Sequence, residues 1–104
     1  MKILPVLALA ALTTPAFAAV DRVTAVTTLS TLFFSADFCN LSISRAKVDA
    51  YRTANTPSGD ALFNVDVFNA TKTLTDQSKS WTKDQGDAYC VKATDTAKQL
   101  GMLL

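Results

Sequence analysis

Residues 21–40 read DRVTAVTTLSTLFFSADFCN. Val23, Val26, Leu29, Leu32, Phe33, Ala36 and Leu41 recur mostly at spacings of three and four, and Phe34 and Phe38 form an i,i+4 pair. That period predicts a helix from Asp21, whose carboxylate suits an N-cap, to Asn40. Its second half is unusually apolar. Side chains advance about 100° per residue, so Leu32, Phe33, Phe34 and Phe38 spread over a wide arc. Such a helix sits at the centre of a bundle or shows an aromatic edge to a partner. The central position is the expectation here.

Three further segments complete the pattern. Ser42 or Ser44 can cap a second helix over Arg45 to Ala54, with Val48, Tyr51 and Ala46 or Ala50 facing inward. Residues 55–59, NTPSG, cluster Pro, Ser and Gly and predict an exposed loop. Asp60 is then placed to cap a third helix. Phe63, Val67, Ala70, Leu74 and Trp81 lie at offsets 0, 4, 7, 11 and 18, one face of a helix. Phe63 to Phe68 is rich in β-branched and aromatic residues, but no second strand is evident to pair with it, and a lone strand leaves backbone groups unsatisfied. Thr82 with Gln85 has the form of a capping box, which predicts a bend near Ser80 and a fourth helix from Lys83. Its stripe is narrow and rich in small residues: Gly86, Tyr89, Cys90, Ala93, Ala97 and Leu100. Gly101 suits the position after that helix. The expected fold class is all-α, a small disulfide-linked bundle of three to four helices.

The N-terminus predicts where the protein works. Lys2 supplies a positive charge, residues 3–12 form an uncharged apolar run, and Ala16-Phe17-Ala18 follows a Thr-Thr-Pro break. This is the order of a secretory signal, with cleavage after Ala18. A membrane anchor needs about 20 apolar residues, roughly twice this run. The expected organisation is therefore a cleaved signal, residues 1–18, and one domain, residues 19–104. The short signal suggests a bacterial periplasm or the exterior, with no stable membrane anchor after cleavage.

In an oxidising compartment Cys39 and Cys90 allow one intramolecular bridge. They lie 51 residues apart, and closing a loop of that length is worth about 4 kcal/mol in the chain-entropy model. Two distant cysteines without histidine make a poor metal site. A redox pair favours C-x-x-C spacing.

Composition narrows function by exclusion. The chain holds ten lysines and arginines, nine acids and no histidine. All nine acids are aspartate, and both signs are interspersed after residue 18. That balance lacks the basic stripe of a nucleic-acid binder. Histidine, the commonest general base and metal ligand, is missing. No serine sits in a G-x-S-x-G elbow, and no glycine-rich phosphate cradle is present. Asp84 and Asp87 share a helix face, but at a helix start negative charge serves the dipole. No catalytic or metal-ligating residue is assigned and no cofactor is implied.

The expectation is thus a small exported non-enzymatic interaction protein, such as an inhibitor, an immunity-type binder or an accessory subunit. Its partner would be another exported protein or a second copy. Candidate partner-contact residues are Phe33, Phe34 and Phe38 on the aromatic edge and Pro57 and Ser58 in the loop, with Phe63, Phe68 and Trp81 expected in the core. Two other functions fit the outline. An acid-conditional envelope chaperone could arise because protonating nine aspartates near pH 3.9 leaves the bases uncompensated. A carrier of a small apolar ligand could use a pocket among Phe33, Phe34, Phe38, Phe63 and Phe68.

Export and bridge are checked together by intact mass. The exported form is expected to begin at Ala19 and to weigh two hydrogens less than its reduced chain. A full-length mass with free thiols would overturn the assignment.

Overall fold

The computed structural model describes residues 19–104, so the proposed signal, residues 1–18, lies outside the described residues. Four helices follow in order: α1 (Arg22–Phe38), α2 (Arg45–Asn55), α3 (Phe63–Ser78) and α4 (Lys83–Gln99). No strand occurs among the described residues; Ile43 and Leu103 form an isolated antiparallel bridge.

Helix α1 is the hub. The other three helices pack mainly on it and make little direct contact with one another. Ala25, Leu29 and Leu32 of α1 are buried with Val48 and Tyr51 of α2, Phe63 and Val67 of α3, and Ala97 and Met102 from the C-terminal region. Fully burying a residue such as Leu29 or Phe63 contributes about 1.5–3 kcal/mol. The hub also buries Ser30 and Ser35, whose hydroxyls donate to the Thr27 and Thr31 carbonyls of the same helix. Their desolvation is therefore compensated locally.

The helix ends follow the capping chemistry with three corrections. Asp21 accepts from the Thr24 N–H at 2.7 Å, and α1 begins as expected. It stops at Phe38, two residues before the expected limit, because Asn40 adopts a left-handed φ of 54° that turns the chain. Ser44, not Ser42, caps α2. Of the alanines offered as inward-facing, Ala46 and Ala50 are both exposed. Asn55, expected in the loop, is instead the last residue of α2 and is buried. Its amide donates to the Tyr51 carbonyl at 3.0 Å and accepts from the Val20 N–H at 2.8 Å, tying the start of the described chain to α2.

Asp60 does not cap α3. The helix starts after Leu62 with no side-chain cap, while Asp60 accepts from the Leu62 N–H at 3.2 Å in a local turn. Its main partner is Arg22, at 2.6 Å, and the same guanidinium reaches Asp66 at 2.7 Å. Arg22 thereby clamps the start of α1 to the start of α3, lying over the Phe63 ring at 5.8 Å. The same carboxylate thus serves the local turn and the ion pair together: Oδ2 accepts from Arg22 Nε while Oδ1 accepts from the Leu62 N–H.

The capping box at Thr82 and Gln85 is complete, with both reciprocal hydrogen bonds formed. The chain turns through residues 79–82, so α3 and α4 are separate helices as expected. At the other end Gly101 has φ 67°, its N–H donates to the Lys98 carbonyl and the Met102 N–H to the Ala97 carbonyl. This is a Schellman stop. It aims the last residues back at the core. Met102 is fully buried, its carbonyl accepts from the Ser44 N–H at 2.6 Å, and the Leu104 N–H donates to the Ser42 carbonyl at 2.9 Å. This C-terminal strap has no counterpart in the helical periodicity.

The Arg22 clamp makes stability depend on pH. The guanidinium holds the Asp60 carboxyl below the ordinary carboxylate range. A depressed folded-state value gives stability that is complete above the unfolded value near 3.9 and is lost as pH falls through the folded one. Asp60→Asn is expected to lower the urea midpoint at pH 7. The gap from the parent should shrink progressively below about pH 4. A gap independent of pH would show that the carboxylate charge is not what matters.

Candidate functional site

The three phenylalanines of α1 have different surroundings. Phe34 is 5% exposed and points inward. It stacks on Phe38 at 4.9 Å and meets Trp81 and Tyr89 edge-on at 5.9 and 5.4 Å. Trp81 and Tyr89 approach at 4.9 Å, which joins α1, the α3–α4 turn and α4 through one aromatic cluster. The Cys39–Cys90 bridge lies beside it, with Cα atoms 5.6 Å apart. Gly86 permits this approach, since a Cβ there would lie 3.2 Å from the Phe38 ring. No free cysteine remains.

Phe34 is therefore chiefly a packing residue, with only its edge lining the surface hollow between Phe33 and Phe38. Phe33 and Phe38 keep 37% and 41% of their surface exposed. Phe68, expected in the core, is 68% exposed. The helix explains this correction: five residues beyond Phe63 the side chain has rotated about 140° away from the buried face. The interior goes to Phe63 and Val67 instead. Leu62 and Val65, at 62% and 48%, extend the exposed apolar edge at the start of α3.

These rings line a trough on the α1–α3 seam. A first hollow of about 300 Å³ is formed by Phe33, Asn64, Val67, Phe68, Thr71 and, from α2, Arg52. A second, of about 260 Å³, shares Phe33 and Thr71 with it and runs on to Phe38 and Ser78. A third, of about 290 Å³, shares Phe38 and Ser78 and ends against Trp81 and Gly86. From Asn64 to Ser78 the seam measures about 21 Å along α3, at 1.5 Å per residue.

The charges along the trough are sparse. The Arg52 guanidinium lies 5.7 Å from the Phe33 ring centre and donates to Asp49 at 3.2 Å. Asp37 lines the middle hollow. Lys83 and Asp87 at the far end pair at 2.7 Å, which raises the lysine above its ordinary value. Asp87 is thus engaged by Lys83 and not by a second carboxylate. Among the described residues no group of three or more His, Cys, Asp or Glu could hold a metal ion. No described helix is long and apolar enough to cross a membrane.

Pro57 and Ser58 are exposed in the α2–α3 loop but line none of the three hollows. The five-phenylalanine pocket does not form either. Phe63 is fully buried in the core, while Phe33, Phe34, Phe38 and Phe68 border the trough. Sequence reasoning missed Arg52 and Thr71, whose place beside Phe33 depends on how α2 and α3 dock.

Tyr89 offers a test of the aromatic cluster. Its hydroxyl is buried without a hydrogen-bond partner among the described residues. Tyr89→Phe is expected to be neutral or to stabilise by up to about 1 kcal/mol, because the unsatisfied group is removed and the ring is kept. Tyr89→Ala should cost about 3 kcal/mol or more through the lost ring. Urea denaturation distinguishes the two, and a destabilised Tyr89→Phe would show that the hydroxyl is engaged. No protein family, curated protein or solved structure matches the chain.

Proposed function

We propose that this is an exported, non-enzymatic interaction protein that holds a segment of another exported protein in the α1–α3 trough. The observation that carries this is the succession of Phe68, Phe33 and Phe38, all partly or largely exposed, along adjoining surface hollows that share lining residues. Single exposed apolar residues are ordinary on a soluble protein, whereas a contiguous apolar surface with a polar border is a feature of binding faces. Aromatic side chains suit the task because they offer large area at small cost in conformational freedom.

The length of the seam sets the partner's size. About 21 Å takes a helix of about 14 residues or an extended strip of about six. Helix-in-groove recognition places apolar anchors at i, i+3 or i+4 and i+7, a spacing that can meet successive rings of the trough. Export is supported by the signal-like N-terminus and by a fold in which both cysteines are used in one bridge.

Site-specific photo-crosslinking tests the proposal. A photoreactive side chain at position 68 or 33 is expected to yield a discrete adduct with one other protein in the exported fraction. The same group at position 91, where Val91 is 63% exposed and lines none of the three hollows, should yield none. Equal labelling from all three positions, or none from any, would overturn it.

A further inference from the structure

The hollow at the Arg52 end has a chemistry of its own. Three of its walls are apolar: Phe33, Val67 and Phe68. Arg52 is the single charged residue lining it, beside the amide of Asn64 and the hydroxyl of Thr71. We infer that this hollow binds an unbranched aliphatic monocarboxylate, with the chain along Phe33, Val67 and Phe68 and the carboxylate on Arg52.

Charge sets the sign of the ligand. The Arg52 guanidinium at the edge of an apolar surface, paired only with Asp49 in an exposed i,i+3 contact, favours an anionic group and disfavours a cation. Asp49 offsets part of that charge, but it lines only the neighbouring hollow on the α1–α2 side, and an exposed i,i+3 pair is weak enough for a ligand carboxylate to compete with it. Arg52 lines both hollows and stands between them. Its placement is already fixed: the guanidinium lies over the Phe33 ring and gives one hydrogen bond to Asp49. A guanidinium has five N–H donors. The remainder have no partner among the described residues and are open to a carboxylate. Thr71 donates its proton to the Val67 carbonyl at 2.8 Å, so toward the hollow its oxygen acts as an acceptor. A single positive group suits a monoanion better than a phosphate ester, which gains from several donors and charges.

Size sets the chain. A space of about 300 Å³ takes about ten non-hydrogen atoms at roughly 30 Å³ each, the share of a water molecule in the liquid. An acid of about eight carbons, about ten non-hydrogen atoms with its two oxygens, fits that limit, and the end of a chain of about ten carbons runs on along the open trough. This site does not require a protein partner, and it stands or falls separately from the proposed function.

The test is titration of isotope-labelled, disulfide-intact protein with decanoate, 1-decanol and acetate, below the micellar range, followed by amide NMR. Decanoate is expected to shift residues 33, 52 and 64–71. Decanol should bind at least about fivefold more weakly and acetate should give no such shifts, because both chain and charge are needed. Arg52→Gln is expected to bring decanoate down to the decanol level and leave decanol unchanged. Phe68→Ser should weaken both alike, and neither exposed side chain is part of the buried core, so the fold is retained. Equal binding of decanoate and decanol, an unaltered decanoate affinity in either variant, shifts centred on residues 81–90, or no binding at all would each overturn the site.

Discussion

Burial of α1 is the constraint on which the other three helices depend. Each of them packs chiefly on α1, so α1 must be apolar on more than one side. Ala25, Leu29 and Leu32 serve the core shared with α2, α3 and the C-terminal strap, while Phe34 serves the aromatic cluster shared with α4. Three helices around one leave gaps where they do not touch each other. The gap between α2 and α3 is where Phe33 remains partly exposed and Arg52 lies over its ring. The trough is thus a geometrical result of the hub arrangement, and its aromatic lining is a result of how apolar the hub has to be.

A core of this size needs help, since small domains bury a smaller fraction of their surface than large ones. Three fasteners supply it, each joining segments distant in sequence. Arg22 reaches Asp60 and Asp66 at one end of α1, and the Cys39–Cys90 bridge with its adjoining rings ties α4 to the other. The strap of Met102 to Leu104 closes on Ser42 to Ser44. The bridge restricts the unfolded chain, whereas the clamp and the strap act only once the helices are in place. The first therefore reduces the entropy that the second and third must overcome.

Legibility in the sequence followed the range of the interactions. Local chemistry was readable: the caps at Asp21 and Ser44, the box at Thr82 and Gln85, the stop at Gly101 and the pairing of the only two cysteines all formed. What depended on docking was not. Asp60 has the composition of a cap, but its preference for Arg22 arises only when α1 and α3 meet. Asn55 resembles a loop residue, yet Val20 and the Tyr51 carbonyl satisfy its amide and let it be buried. Met102 follows the last helical period, and only the direction set by Gly101 brings it into the core. The candidate site divides in the same way. Phe33 and Phe38 stood out as an aromatic excess on one helix, while Phe68 and Arg52 gained meaning from neighbours on other helices.

Val67 and Phe68 separate what the fold requires from what it does not. Val67 is 5% exposed and belongs to the core, and Phe68, the next residue, is 68% exposed. A polar residue at position 68 would leave the hub packing intact, since exposed substitutions away from caps and cores usually change stability by less than about 0.5 kcal/mol. The same holds for the charge of Arg52, whose pairing with Asp49 is an exposed i,i+3 contact of small worth. Folding therefore accounts for the shape of the trough and for Val67 beneath it. It does not require a large ring on one lip, and it uses the cation on the other only weakly, through the last turn of α2, Asp49 and the Phe33 ring. Those two side chains gain most when something apolar covers the ring and something negative meets the guanidinium.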